Sequence, residues 1–148
     1  MDFQLQAVDN TNKNIIEESC DPEELEKYMS RFYPSENQAL LWYLISCNNS
    51  FAGHVWIEKY KKENGGHKLG IAIWDNSKRG LGIGSWAITE VIKILVEHGY
   101  SKPIVLNVRE VNQRAVKCYH KVGFQVVKRE IGKKDNKEIT FLQMKYVV

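Results

Sequence analysis

Arg79-Gly80-Leu81-Gly82-Ile83-Gly84 places three glycines and a guanidinium within six residues. A glycine turn that opens a helix leaves several backbone N–H groups without intrahelical partners, and no side chain bars a phosphate from reaching them. The positive end of the helix dipole adds attraction, and Arg79 brings a full charge with bidentate donors. Glycines also suit a plain strand-to-helix turn, but three at alternate positions exceed what one turn needs. The stretch reads as a seat for a phosphorylated ligand. Other groups able to do chemistry lie further along the chain. Asn112 follows a strand pattern and suits a helix cap, and Tyr119 shares a helical face with Ala115, where alone it reads as a core aromatic. Taken singly, Glu58 and His67 read as surface charges and His54 as a satisfied sheet residue. His98 beside Gly99 suits dipole compensation at a helix end, and His120 has no partner at metal-ligand spacing, so no metal site emerges.

The elements that must position these groups follow from periodicity. Residues 69–74 form a short apolar, β-branched run closed by Asp75-Asn76-Ser77. Beyond the glycines, Ile88, Val91, Ile92 and Leu95 recur at helical spacing, and Gly99 closes that helix. Residues 104–109 read as a strand, 113–121 as a helix ending at Val122-Gly123, and 124–131 with 138–147 as a hairpin around 132–136. Upstream, residues 39–47 read as a strand buried on both faces. Asn48-Asn49-Ser50 turns it back into a strand over 51–60, followed by a solvated loop at 61–66. A first strand at 3–8 is interrupted by the polar run 9–14. Asp21-Pro22-Glu23-Glu24 opens a helix to about Phe32, stopped by Tyr33-Pro34.

With 148 residues, 43% hydrophobic and 26% charged, the chain reads as a single globular domain over 1–148. A net charge of +3 is too small and too dispersed for a nucleic-acid-binding stripe. Cys20, Cys47 and Cys118 are odd in number and lack C-x-x-C spacing, which suits reduced thiols in the cytoplasm; Cys118 reads as buried and inert. The start lacks a basic region followed by an apolar run, and the longest apolar stretch, near 39–45, is too short for a bilayer, so a soluble protein without membrane contact is expected.

Among phosphate binders, the nucleoside-triphosphate loop G-x-x-x-x-G-K-[ST] is absent. Gly82-Ile83-Gly84-Ser85-Trp86-Ala87 does read as G-x-G-x-x-A, with Glu110 near the end of the next strand, so a nicotinamide-dinucleotide-binding oxidoreductase is the runner-up. Against it, the turn falls in mid-chain after one hairpin and before another, leaving no room for several βαβ units.

A second block decides between these readings. Leu106-x-Val108-x-x-x-Asn112-x-x-Ala115-x-x-x-Tyr119-x-x-x-Gly123-Phe124, taken with Arg79-x-x-Gly82-x-Gly84, resembles the two signature motifs of the Gcn5-related N-acetyltransferase (GNAT) superfamily. Ala52-Gly53-His54-Val55 is similar to the strand before that family's cofactor strand. The likeness spans roughly residues 40–146 and is nearest the branch acetylating ribosomal proteins, polyamines and some antibiotics. It implies a mixed, mostly antiparallel α/β sheet flanked by helices on both faces, and acetyl-CoA as co-substrate. It implies further that backbone N–H groups of Gly80, Leu81, Gly82, Ile83, Gly84 and Ser85 clasp the pyrophosphate beside Arg79. The strand Ile71-Ala72-Ile73-Trp74 would pair with the pantetheine arm, with Asn112 near its amides. Tyr119 would protonate the departing thiolate as general acid. Many relatives carry a Glu on the cofactor strand, and residues 69–74 have no acid. Glu58, His54 and His67 remain as bases, with Glu58 put forward. The acceptor would be a small-molecule or peptide amine approaching the hairpin and the 20–38 region, walled by some of Trp42, Trp56, Trp74 and Trp86. A non-catalytic CoA-binding sensor and a homodimer both stay open.

Overall fold

The computed structural model describes residues 1–26, 29, 31–35, 38–61, 66–101 and 103–147. Alternating apolar runs become strands and the 3.6-period stripes become helices, in the order β1 (Phe3–Ala7), α1 (Lys13–Ser19), α2 (Pro22–Leu25), β2 (Ala39–Cys47), β3 (Ser50–Tyr60), β4 (Gly66–Ile73), α3 (Ile83–Glu97), β5 (Ile104–Arg109), α4 (Gln113–Val122), β6 (Phe124–Lys134) and β7 (Lys137–Tyr146). The strands form one seven-stranded sheet ordered β1-β2-β3-β4-β5-β7-β6. Among the described residues only β4 and β5 run parallel; every other neighbouring pair is antiparallel. This is the mixed, mostly antiparallel architecture that the motifs imply, and a doubly wound parallel sheet is ruled out.

Both tight hairpins turn on residues that tolerate left-handed backbone. Asn48 and Asn49 have φ of 51° and 67°, and Asp135 and Asn136 have φ of 51° and 65°. Two such residues in a row give a turn whose twist matches that of the flanking strands. The last hairpin is therefore tighter than its Gly-Lys-Lys-Asp-Asn sequence suggests, and residues 132–134 continue β6. The polar run at 9–14 is a turn into α1, a seven-residue helix that the sequence pattern does not announce. Asp9 accepts from the Thr11 backbone at 2.8 Å, Asn12 accepts from the Asp9 backbone at 2.9 Å, and Ile16 anchors the turn in the core. The helix expected up to Phe32 is seen as Pro22–Leu25, capped by the Asp21 side chain; residues 27, 28 and 30 lie outside the described residues. Residues 62–65 of the expected loop do so too, and Gly66 already belongs to β4.

Successive strand residues point to opposite faces. On one face Val55, Ile57, Leu69, Leu106 and Val108 bury the stripe of α3 formed by Ile88, Val91, Ile92 and Leu95, together with Phe124 and Met144. On the other face Leu44 meets Ile16, Cys20 and Leu25, with Trp42, Trp74, Met29 and Phe32 around them. At the middle of the sheet β4 and β5 share only two rungs, His67 with Ile104 and Lys68 with Val105. Beyond them β4 stays on β3 and β5 stays on β7, and the two parallel strands part.

Candidate active site

The glycine loop links the end of β4 to α3. Gly80 and Gly82 hold φ of 82° and 83°, a region that costs other residues strain, and a Cβ at either would meet no atom within 4 Å. Two glycines are thus required by backbone conformation, and the space in front of them is open. Gly82 caps the 15-residue α3 without any side-chain bond, and the first helical bond runs from the Trp86 N–H to the Gly82 carbonyl at 3.0 Å. The N–H groups of Ile83, Gly84 and Ser85 therefore face outward at the positive end of a long helix, as a diphosphate requires. Gly84 is helical, with ordinary clearance from the Cys118 sulfur, and the Ser85 hydroxyl lies 3.3 Å from that sulfur. Cys118 is half-buried between the helices, not buried as expected. Arg79 turns back and donates to the Ile73 carbonyl at 2.9 Å, fastening the loop to the strand end.

Where β4 and β5 part, a cleft of about 340 Å³ opens. Its walls come from Leu69, Gly70 and Ile71 of β4, Asn107, Val108 and Arg109 of β5, and Asn112 and Tyr119 from the following turn and helix. Met29, Arg31 and Trp56 close it on the face away from α3, and Glu130, Phe141 and Gln143 at its far side. Trp56 can lie against the strand because position 70 is glycine: a Cβ there would come within 2.1 Å of the indole. Asn112 accepts from the Ala115 backbone at 3.3 Å and so caps α4, which fixes the helix carrying Tyr119. Tyr119 is buried, edge-on to Phe124 at 6.2 Å, and burial pushes its hydroxyl well above the ordinary phenol range, with the nearby Cys118 adding to the effect. The ring packs as a core residue while one side of it lines the cleft. β4 joins the two features: Ile71 sits in the cleft, and Ala72, Ile73 and Trp74 lead from it to the glycine loop.

The carboxylate and imidazoles behave differently from their sequence setting. Glu58 is 3% exposed, contrary to the reading of a surface charge. Both its oxygens are engaged by Arg31, and one accepts from the Ser35 backbone at 2.8 Å. The partner that makes this burial tolerable comes from a segment 27 residues away, which no local pattern reveals. His67 is likewise buried, on the two-rung seam and edge-on to Tyr100. His54 is enclosed by Tyr33, Trp42, Trp56 and Trp74, with ring centroids 6.0, 6.2, 4.9 and 6.0 Å away. The Trp42 indole N–H donates to His54 Nδ1 at 2.9 Å, so the ring proton sits on Nε2. Burial lowers the His54 pKa to about 4 against the opposing pull of the Phe32 backbone. Trp86 instead packs on Phe3, on the other face. His98 caps α3 as expected, with Nδ1 2.7 Å from the Ile94 carbonyl. Among the described residues no His, Cys, Asp or Glu cluster could hold a metal ion, and no helix is long and apolar enough to cross a membrane.

Comparison with known proteins places this geometry. Residues 10–124 match the model of the acetyltransferase (GNAT) family. No curated protein matches the chain in sequence. Among solved structures, the RimL ribosomal L7/L12 alpha-N-protein acetyltransferase superposes with a TM-score of 0.80 at 15% identity, covering 99% of this chain and 90% of its own. A spermidine N-acetyltransferase from Vibrio cholerae, solved with CoA and spermine, gives 0.78 at 16% identity, covering 97% and 94%. A GNAT-family acetyltransferase from Streptococcus pneumoniae gives 0.73 at 21% identity, covering 97% and 98%. With both signature blocks on the loop and the cleft, and the family match spanning most of its length, the chain belongs to the GNAT family of acetyl-CoA-dependent N-acetyltransferases.

Proposed function

We propose that the protein acetylates a primary amine by direct attack on the thioester, both substrates meeting where β4 and β5 part. The observation that carries this reading is the continuity of β4, which runs from a cleft lined by Tyr119 to a glycine loop at an uncapped helix N-terminus. The backbone N–H groups from Leu81 to Ser85 hold the pyrophosphate, and the open edge from Ile71 to Trp74 pairs with the pantetheine amides. Asn112 spends its carbonyl oxygen on the helix cap, which leaves its amide N–H groups to donate toward the cleft.

Bound acetyl-CoA supplies an activated acetyl group and departs as a thiol. In the balance of the reaction the amine lone pair forms the C–N bond, the C–S bond breaks, one proton leaves nitrogen and one reaches sulfur. Tyr119 stays protonated, because burial raises its pKa further above the thiol value of about 8.5. Its hydroxyl hydrogen-bonds to the developing thiolate and eases C–S cleavage, and the proton that ends on sulfur is made good by solvent, which takes up the one leaving nitrogen. Glu58, engaged through both oxygens, acts by holding Arg31 in the cleft wall, and the amine proton passes to solvent in the open cleft.

The test is a thiol-release screen of the purified protein with acetyl-CoA and a panel of primary amines, alongside calorimetric titration of CoA. Amine-dependent release supports the reading. Tight CoA binding with no release from any amine would make the protein a sensor and not a transferase.

A further inference from the structure

A buried donor without a partner lowers stability unless a ligand supplies one, and the cleft wall holds such a donor. Among the described residues, the buried side-chain nitrogens without a hydrogen-bond partner are His54 Nε2, Trp56 Nε1, His67 Nδ1 and Arg109 Nε. Neither histidine lines the cleft, and the Arg109 guanidinium already donates to the Glu26 carbonyl. Trp56 does line it, is 2% exposed, and its indole N–H donates to nothing. Trp42, directly opposite on β2, shows the contrast: its indole N–H is used on His54 at 2.9 Å. Strand register sets where the idle N–H lies. Trp56 of β3 stands opposite Gly70 of β4, and the indole lies across that strand with Nε1 2.7 Å from the place a Cβ would take. The last shared rung of β4 and β5 is at Lys68, so Gly70 and Ile71 stand where the two strands part. Trp56 is on the sheet face of His54, whereas Tyr119 belongs to the core under α3. The two side chains flank the gap from opposite faces, one a phenol and the other an indole N–H.

Resting on the transferase reading above, we infer that Trp56 is a second catalytic residue, its indole N–H donating to the acetyl carbonyl oxygen while Tyr119 serves the sulfur. As the amine lone pair forms the C–N bond, the carbonyl π electrons move onto oxygen. A donor held at that oxygen bonds the developing charge more strongly than the neutral carbonyl, which lowers the barrier. The electrons return as the C–S bond breaks and sulfur leaves with the bonding pair, with the protons balanced as before. Two properties suit the indole to this task. It is a donor only and does not titrate, so the N–H is in place at every pH at which the fold persists. It is also closed to solvent in the free protein, so no bound water has to be removed from it when the carbonyl arrives.

The experiment follows the indole protons of the wild-type protein by NMR, with CoA and acetyl-CoA as the two probes. The chain has four tryptophans, so four indole signals are assigned by triple-resonance spectroscopy. The Trp56 signal should move downfield with acetyl-CoA and much less with CoA, since only the first brings a thioester carbonyl. Trp56→Phe keeps an aromatic ring in the wall and removes the donor. In the thiol-release assay its kcat should fall about 10²-fold, with CoA affinity near that of the wild type. A packing role alone would lower the melting temperature and leave the kcat of the folded variant in place. The same indole response to both probes, or wild-type kcat in the folded variant, overturns the inference and leaves acetyl transfer standing. If the variant does not fold, the indole response of the wild type decides. Wild-type protein that binds CoA yet releases no thiol with any amine overturns the transferase reading and the inference together.

Discussion

Tyr119 sits where a packing role and a chemical role make opposite forecasts for one substitution. Tyr119→Phe keeps the ring on Phe124 and removes only the hydroxyl. General-acid or donor contributions run about 10²–10⁴-fold, so kcat should fall at least tenfold, with acetyl-CoA affinity and melting temperature nearly unchanged. Single-turnover kinetics check this, and an unaltered rate would leave Tyr119 to the core alone. His54 makes a forecast about pH. Its folded pKa is about 4, below the value near 6.5 of an unfolded histidine. As pH falls below that unfolded value, the unfolded chain takes up the proton first. The full stability of this site is therefore present above pH ~6.5, is lost between ~6.5 and ~4, and amounts to about 3 kcal/mol. Thermal melts across that range should fall more steeply for the wild type than for His54→Gln, which keeps an acceptor for the Trp42 indole but does not titrate. Parallel slopes would mean that His54 takes up its proton as readily in the fold as in the unfolded chain.

The loop and strands of the sheet are where local sequence rules held best. Gly82→Val forces a β-branched residue to φ of 83° and puts a side chain into the open approach to the α3 N–H groups. CoA binding should drop at least tenfold in calorimetry while far-UV circular dichroism stays native. Normal binding by the folded variant would refute the phosphate seat. Gly70→Val is predicted to harm stability instead, since its Cβ would overlap the Trp56 ring, and its melting temperature should fall accordingly. α3, β5, α4 and the tight hairpin at Asn48-Asn49 were legible because periodicity, caps and turn residues all act within a few positions. The helix Lys13–Ser19 was not legible: it has two isoleucines in seven residues and owes its place to Ile16 packing under Leu44. The glycine loop, Asn112 and Tyr119 were readable as a motif. The Glu58–Arg31 pair and the aromatic ring around His54 were not, because each joins strand residues to the 31–35 segment, and pairing across such distances leaves no trace in spacing.

At the scale of the whole molecule, the ligand to be tested is the cofactor itself. Among the described residues the fold has one glycine loop opening a long helix and one parallel strand pair, and no second such unit. Acetyl-CoA or CoA at about a hundred times its Kd should add about 2.7 kcal/mol, a rise of several degrees in melting temperature, while NADH and NADPH add nothing. A rise with NADH alone would contradict the assignment. The two-rung seam between β4 and β5 has a further meaning for how the protein holds together. The strands β1 to β4 form one antiparallel unit and β5, β7 and β6 another, and only two residue pairs of the sheet tie the units to each other. If the proposed function holds, a pantetheine arm lying along the parted edge would act as an eighth strand, mortar in a joint that the chain leaves unfilled. The two units also share the core under α3, so the seam is the weak line of the sheet and not of the whole fold. Amide hydrogen exchange with and without CoA is expected to show slowed exchange along residues 69–73 in the bound protein.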